Sequence, residues 1–183
     1  MKVLFITRNV WYSKIVHNYL LTHFKICDVV RKKNKFINLK KKYNLILSFG
    51  YKYIIPSYIL KKSKYSINFH PGLENNPGAG SYSYALFNKN LYYGVTCHFM
   101  KKTPDSGNII LQRKFKLLPE ENFLSLRQRT ILESIIALYE VVDNFIKEGK
   151  LIIKSKKKWK IRARKQKKYF DDILLLKNIY ILI

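Results

Sequence analysis

Short apolar runs that alternate with helical patterns constrain the fold of this 183-residue chain more than any other feature. The runs VLFIT, NLILSF and YSINFH, at residues 3–7, 44–49 and 65–70, are rich in β-branched and aromatic residues. Such runs are typical of strands that are buried on both faces. A helical pattern follows the first run at residues 13–24, and a second follows at residues 56–61, where Pro56 stands in the first turn. Strands alternating with helices predict an α/β fold: a Rossmann-like, open, mostly parallel sheet flanked by helices.

The second half of the chain predicts a hairpin and one long helix. GVTCHFM, residues 94–100, reads as a strand, and the TPDSG turn at residues 103–107 connects it to the strand-like NIILQRKFKL. Apolar residues then follow helical spacing over residues 120–148, with Gly149 as the stop. Shorter elements are expected as well: a helix over residues 82–87, and one further strand within residues 27–30 and 35–37.

Length and composition favour one domain with an appended tail. A chain of 183 residues that is 48% hydrophobic can build one sizeable core. We assign residues 1–150 to a catalytic domain and residues 151–183 to a tail that is first basic and then apolar. The apolar end should pack on the body or on a second subunit, which would make a homodimer. No apolar run reaches about 18 residues and no cleavage-like site follows the first strand, so we expect a cytoplasmic protein without a membrane partner.

The strong positive charge is weak evidence for a partner. The chain carries 36 Lys and Arg against 11 Asp and Glu, a net charge of +25, which by itself would suggest a polyanion. The lysines are scattered, however, and no zinc finger, RNA-recognition signature or helix-turn-helix is recognisable, so we expect no nucleic-acid partner. Two basic concentrations, at residues 31–42 and 154–168, could face an anionic small molecule or only solvent. Cys27 and Cys97 lack CxxC spacing, which argues against a zinc site or a disulfide framework.

Polar groups at the ends of the later strands suggest acyl-transfer chemistry. Asn68 and His70 stand two residues apart, so they share one face of their strand, and His98 and Asp105 follow in the next strand and turn. An amide, one or two imidazoles and a carboxylate can supply an oxyanion donor, an acid/base group and its orienting partner. No Ser or Cys sits in a nucleophile elbow. Each residue alone also fits a turn or core role, and a metal triad of His70, His98 and Asp105 is an alternative.

These residues resemble a known family. The catalytic core of the 10-formyltetrahydrofolate-dependent formyltransferases is similar to four stretches of this chain: NFHPG, the following PG with an alanine-containing helix, GVTCHFM and PDSGNIILQ. Within that family, the stretch NNPGAGSYSYALFN is most similar to the small nucleotide-sugar N-formyltransferases. The resemblance implies that Asn68 and His70 hydrogen-bond the formyl oxygen and that Asp105 tunes His70 and helps to move the proton of the attacking amine. Gly72 departs from the Ser that many members carry. No metal is implied, and the tRNA-binding domain of methionyl-tRNA formyltransferase is not expected.

The resemblance also implies binding regions for two ligands. The folate co-substrate, 10-formyltetrahydrofolate, should lie between the SFGYKYII loop and the PDSG turn, and the candidates are Gly50, Tyr51, Ile54, Ile55, Thr103, Pro104 and Ser106. A nucleotide-diphosphate amino sugar should contact the first loop and residues 75–84, which we call the glycine-rich segment, and the candidates are Arg8, Asn9, Trp11, Gly78 and Tyr82.

The function implied is N-formylation of the primary amine of a nucleotide-linked amino sugar. Two alternatives stay open: a glycinamide ribonucleotide-type formyltransferase, and a non-catalytic basic protein that binds polyanions on the same fold. The first would normally have a glycine-rich loop after the first strand, and TRNVWYS is not glycine-rich.

Overall fold

The computed structural model describes residues 1–36 and 39–165, and within these ranges six strands form one sheet. The strand order is β2-β1-β3-β4-β5-β6, with β1 to β4 parallel and β5 and β6 antiparallel to their neighbours. The predicted mostly parallel α/β sheet is therefore confirmed. The strands are β1 Lys2–Thr7, β2 Ile26–Val30, β3 Leu45–Phe49, β4 Tyr65–His70, β5 Tyr92–Phe99 and β6 Ile109–Lys116. The helices are α1 Trp11–His23, α2 Ser57–Leu60, α3 Ser81–Phe87 and α4 Phe123–Glu148.

Alternate side chains of the buried strands enter two separate core layers. Val3 and Phe5 of β1 pack in a layer with α1 and α4, whereas Leu4 and Ile6 pack in a layer with Ile59 of α2. Every residue of β3 is buried, because both faces of the central strands are covered. Full burial on both sides explains why these strands appear in the sequence as unbroken apolar runs rather than as alternating ones.

Local sequence signals set the ends of the elements. Helix α4 begins at Phe123, because the side chain of Asn122 accepts hydrogen bonds from the first turn and forms a capping box with Ser125. It ends at Gly149, whose φ of 66° is the left-handed conformation that glycine adopts at least cost. The further strand predicted within residues 27–30 and 35–37 is β2 alone, since Lys33–Phe36 forms a 3-10 turn.

The described chain after α4 forms no regular helix or strand and is hydrogen-bonded to the body. The backbone N–H of Lys154 donates to the carbonyl of Ile110 in β6, and Gly78 and Arg164 form an isolated parallel bridge. The apolar end of the tail, residues 166–183, lies outside the described residues. None of the described helices has both the length and the apolar character needed to cross a bilayer.

Candidate active site

Strand β4 presents Asn68 and His70 on the same face of the sheet. Ile67 and Phe69 point into the layer formed with α1 and α4, so the residues between and after them must project from the opposite face. Asn68 is half-buried and His70 is 5% exposed. The alternation expected from the sequence therefore brings an amide and an imidazole to one side of one strand.

Strand β5 adds His98 to this face in an unexpected way. It runs antiparallel to β4 and pairs His98 with Asn68, in the middle of the paired region. The next residue but one, Met100, donates its N–H to the carbonyl of Ser66, so the chain leaves β5 near the amino end of β4. The groups do not all lie beyond the carboxyl ends of parallel strands, as the sequence had suggested. Instead, the turn after β5 folds back over the sheet face and carries Asp105 to His70.

Asp105 is the centre of the cluster. Its Oδ2 lies 3.2 Å from Nδ1 of His70, and its Oδ1 lies 3.1 Å from Nε2 of His98. The backbone N–H of Gly78 donates to Oδ2 at 2.7 Å. Asp105 has a φ of 43°, which is left-handed backbone that an aspartate tolerates better than most residues. The carboxylate is thus buried between two imidazoles and one backbone donor.

The second nitrogen of each imidazole also faces an acceptor. Nε2 of His70 lies 2.8 Å from the carbonyl oxygen of Asn76, and Nδ1 of His98 lies 2.9 Å from the carbonyl oxygen of Phe99. Nδ2 of Asn68 lies 3.2 Å from Nε2 of His98. Carbonyl and carboxylate oxygens only accept hydrogen bonds, whereas a neutral imidazole has a single N–H. The cluster therefore offers more acceptor positions than two neutral histidines can fill, and it is suited to taking up a proton.

Electrostatics separate the roles of the acidic and basic groups. Burial raises the pKa of Asp105, but His70, His98 and the Gly78 N–H outweigh that effect and hold the pKa well below its ordinary value. Burial lowers the pKa of His70, and the Asp105 carboxylate and the Asn76 carbonyl oppose this shift. At neutral pH the site therefore holds an ionised carboxylate beside a histidine whose neutral form is favoured.

A family model described as formyl transferase matches residues 19–142, a segment that includes Asn68, His70, His98 and Asp105. The chain belongs to the formyl transferase family. Among curated relatives, the phosphoribosylglycinamide formyltransferase of Haemophilus influenzae is 30% identical over 113 residues, which are 61% of this chain and 53% of that protein. The GDP-perosamine N-formyltransferase of Brucella melitensis is 31% identical over 101 residues, or 54% of this chain and 39% of that protein. The chain thus matches about half or less of these relatives.

Solved structures of this family share the fold. The formyltransferase PseJ from Anoxybacillus kamchatkensis, in complex with UDP-4,6-dideoxy-4-formamido-L-AltNAc and tetrahydrofolate, superposes with a TM-score of 0.68. The match covers 96% of this chain and 92% of PseJ at 23% sequence identity. The predicted formyltransferase fold is therefore confirmed.

The folate candidates occupy the loop after β3 and the turn that carries Asp105. Because Phe49 pairs with Phe69, Gly50 directly follows the strand beside His70. The φ of Gly50 is 62°, and a Cβ there would lie 3.2 Å from the hydroxyl of Tyr12. The remaining candidates differ in exposure. In the loop after β3, Ile54 is 63% exposed, Ile55 is half-buried, and Tyr51 packs edge-on against Tyr53. In the turn, Thr103, Pro104 and Ser106 are all exposed. The Oγ of Ser106 donates to the Thr103 carbonyl at 2.8 Å.

The amino-sugar candidates fall into two groups. Arg8 is half-buried and donates from Nη2 to the hydroxyl of Tyr12 at 3.0 Å, while its buried Nε has no hydrogen-bond partner within the described part of the chain. Trp11 is 57% exposed, and Asn9 is exposed beside it. Burial raises the pKa of Tyr82, and Arg127 and Arg8 partly oppose that rise, so Tyr82 belongs to the same neighbourhood. Gly78 lies apart from this group, because its N–H holds Asp105.

Three further residues at the site were not among the sequence candidates. Tyr12 accepts a hydrogen bond from Arg8 and lies close to Gly50. Trp159 packs against the rings of His70 and His98. Arg164 forms a backbone β-bridge with Gly78. Tyr12 lies in the first helix, next to the candidate Trp11, and that position is the one signal that could have found it. Trp159 and Arg164 lie in a basic run with no periodicity that would place them in the fold.

The two remaining sequence hypotheses concern anions and metals. The basic concentration at residues 31–42 borders a cavity of about 680 Å³ beside the end of β2, lined by Arg31, Lys32, Lys35, Lys40 and Lys41 among others. Within residues 1–36 and 39–165, no group of three or more His, Cys, Asp or Glu side chains is arranged to hold a metal ion.

Proposed function

We propose that this protein transfers a formyl group from 10-formyltetrahydrofolate to the primary amine of a nucleotide-linked amino sugar. The observation that carries the proposal is the buried Asp105 carboxylate, held between His70 and His98 on the sheet face that also presents Asn68. Acyl transfer to an amine needs a donor for the developing oxyanion and an acceptor for the proton of the amine. The cluster provides both within one small volume.

Each side chain has a defined task in this proposal. The amide of Asn68 and the Nε2–H of His70 donate to the formyl oxygen as it gains negative charge. Asp105 holds His70 in orientation and helps to move the proton that the amine loses toward N10 of the folate. The new bond joins the amine nitrogen to the formyl carbon, the bond from that carbon to N10 of the folate breaks, and N10 takes up a proton. Loss of one oxyanion donor typically lowers the rate about 100 to 1,000-fold.

The Asn76 carbonyl bears on how the formyl oxygen reaches His70. It accepts from Nε2 of His70 at 2.8 Å, which is the hydrogen bond that the formyl oxygen must replace. Asn76 belongs to the glycine-rich segment that also carries Gly78, and such segments adapt their backbone readily. Substrate binding should therefore shift this segment and free the Nε2–H of His70.

The loop after β3 fits the heterocycle of a folate. Tyr53 and Ile54 are 45% and 63% exposed and can cover an aromatic ring. The hydroxyl of Tyr51 is buried without a partner in the described part of the chain and can bond a polar ring edge. The loop begins at Gly50, directly after β3, which is paired in parallel with the strand that ends at His70. Bound there, the folate would present its formyl group to Asn68 and His70.

The first loop fits an anionic sugar nucleotide better than a bare phosphate. Arg8 has a free buried Nε within the described residues, and Trp11 offers an exposed indole face beside it. A guanidinium and an aromatic ring together suit a diphosphate that is attached to a base. The GDP-perosamine N-formyltransferase among the relatives and the nucleotide-sugar complex of PseJ support the same substrate class.

A direct assay tests the proposal. The protein is incubated with 10-formyltetrahydrofolate and a panel of 3-amino and 4-amino nucleotide sugars, with glycinamide ribonucleotide included as the competing substrate. We expect one of the nucleotide sugars to gain about 28 Da, the mass of CO, as tetrahydrofolate appears. Formylation of glycinamide ribonucleotide alone would overturn the assignment of the substrate, and it is the outcome that the Haemophilus influenzae relative would favour.

A pair of histidine variants separates catalysis from polyanion binding. His70→Ala should abolish turnover, whereas His23→Ala, at the exposed end of α1, should leave it unchanged. A protein that only binds polyanions would retain heparin or nucleotide binding in both variants and show no turnover in the parent. That result would replace the enzymatic proposal by the binding one.

A further inference from the structure

Trp159 lies against both histidines of the candidate active site. The centroid of its indole is 5.6 Å from the His70 ring and 5.1 Å from the His98 ring, at interplanar angles of 76° and 88°. Its Nε1–H donates to the carbonyl oxygen of Gly107 at 2.9 Å. Gly107 lies two residues after Asp105 in the same turn. One side chain therefore contacts both imidazoles and also holds the turn that carries the carboxylate.

The segment that supplies Trp159 is fixed to the other side of the site. We call residues 154–165 the strap. The N–H of Lys160 donates to the Glu74 carbonyl at 3.0 Å, and the N–H of Ala79 donates to the Arg164 carbonyl at 3.1 Å. The strap is thus bonded to Glu74 and Ala79, on either side of Gly78, whose N–H holds Asp105.

Close approach at Gly78 makes this attachment specific. A Cβ on Gly78 would lie 2.2 Å from the backbone nitrogen of Arg164, a distance that no side chain can accept. The guanidinium of Arg164 lies 4.1 Å from the centroid of the Tyr84 ring and donates from Nη2 to Oδ1 of Asn76 at 3.4 Å. The strap therefore contacts the segment that bonds His70 as well as the turn that carries Asp105.

We propose that Trp159 is a positioning residue of the active site, which clamps the Asp105 turn and shields the His70–Asp105–His98 cluster from water. Asp105 has left-handed backbone, a conformation that persists only where neighbouring structure holds it. The Gly78 N–H holds its carboxylate, and the Trp159–Gly107 bond holds its backbone. The catalytic consequence rests on the proposed function, whereas the effect on the histidines does not.

Three variants test the proposal. Trp159→Phe keeps an aromatic edge but loses the N–H, Trp159→Leu loses both, and Ile161→Ala is a control at an exposed strap position, since Ile161 is 47% exposed. We expect Trp159→Leu to lower kcat about 10 to 100-fold, with KM for either substrate changed less than about threefold, because small displacements of catalytic groups cost this much. Trp159→Phe should fall between the parent and Trp159→Leu, and Ile161→Ala should match the parent.

Titration of His70 gives a readout that needs no substrate. The groups that act on its imidazole are Asp105 on the turn, His98 on β5, Arg164 on the strap and the Asn76 carbonyl. Burial is the largest cause of the lowered pKa of His70, so admitting water in Trp159→Leu should raise the NMR titration midpoint of His70 toward the ordinary value of about 6.5. Loosening Arg164 adds to this rise, and a looser Asp105 turn opposes part of it. The signal is assigned by its loss in His70→Gln.

The outcomes decide between three roles for Trp159. A lower melting temperature with unchanged kcat per folded molecule and an unchanged His70 midpoint would show that Trp159 only stabilises the fold, and the proposal would fail. A rise in kcat in Trp159→Leu would show that the strap obstructs the site instead, which also overturns it. If the parent formylates none of the amines, the proposed function fails, and the shift of the His70 midpoint alone decides the positioning role.

Discussion

Replacement of Asp105 by Asn measures how strongly the buried carboxylate holds the site together. The substitution keeps the size of the side chain and an oxygen that can accept the Gly78 N–H, but it removes the charge from between His70 and His98. Removing one partner of a buried ion pair costs about 3 to 5 kcal/mol. The neutral form of His70 is favoured at neutral pH, so Asp105 and His70 are not a full ion pair and the loss should be smaller, about 2 to 3 kcal/mol in the free energy of unfolding. For a domain of this size that corresponds to a melting temperature lower by about 5 to 10 °C.

Urea unfolding at pH 7.5, followed by circular dichroism, measures this loss against a matched control. Asp143→Asn removes a carboxylate whose side chain is 61% exposed, and it should change the free energy of unfolding by no more than about 1 kcal/mol. Formyl transfer should fall below detection in Asp105→Asn and stay at the parent level in the control. An Asp105→Asn variant within about 0.5 kcal/mol of the parent would refute the electrostatic account, because the carboxylate would then not be coupled to the two imidazoles.

Three further outcomes are expected. Burial lowers the pKa of His70 in the folded state, so below about pH 6.5 the unfolded chain binds more protons and the free energy of unfolding decreases as the pH falls. His70→Gln should therefore flatten the curve of melting temperature against pH between pH 7.5 and 5.5. Parallel curves for the parent and the variant would contradict this. Gly78→Ala should displace the strap, because its Cβ would meet Arg164, and trypsin should then cut residues 154–165 faster than in the parent. Ile54→Asn should raise the KM for 10-formyltetrahydrofolate about fivefold through lost apolar contact, with an unchanged melting temperature because Ile54 is 63% exposed; an unchanged KM would remove this loop from the folate site.

The sheet could be predicted because its strands are buried in a way that composition reveals. In β1 and β3 nearly every side chain is inaccessible, and only apolar residues tolerate that environment. The stop of α4 at Gly149 was also predictable, since a positive φ after a helix favours glycine. Its start was placed three residues too early, because Glu120 and Glu121 suit a helix while the cap at Asn122 depends on hydrogen bonds that periodicity does not reveal.

The candidate site was predictable where its geometry depends on strand alternation and unpredictable where it depends on a reversal of chain direction. Side chains alternate between the two faces of a strand, so the separation of two residues between Asn68 and His70 was enough to predict that they share a face. The antiparallel direction of β5 places His98 opposite Asn68 rather than at a strand end, and spacing along the chain carries no information about that direction. Trp159 reaches the site because the chain returns to the body after α4. A single aromatic residue in a basic run gives no indication of where in the fold that run will pack.

Charge near the site matters through its position rather than its total. The net charge of +25 is carried mostly by lysines that solvent and salt screen over about 8 Å at physiological ionic strength. Arg8, Arg127 and Arg164 differ from these lysines, because they act on Tyr82, Tyr93 or His70 at short range. Arg8 and Arg127 act near Tyr82, whereas Arg164 acts near His70, the partner of the Asp105 carboxylate. Under the proposed function, the diphosphate of the substrate would be attracted to Arg8 and Arg127 near Tyr82, and the proton chemistry of the His70–Asp105–His98 cluster would be left undisturbed.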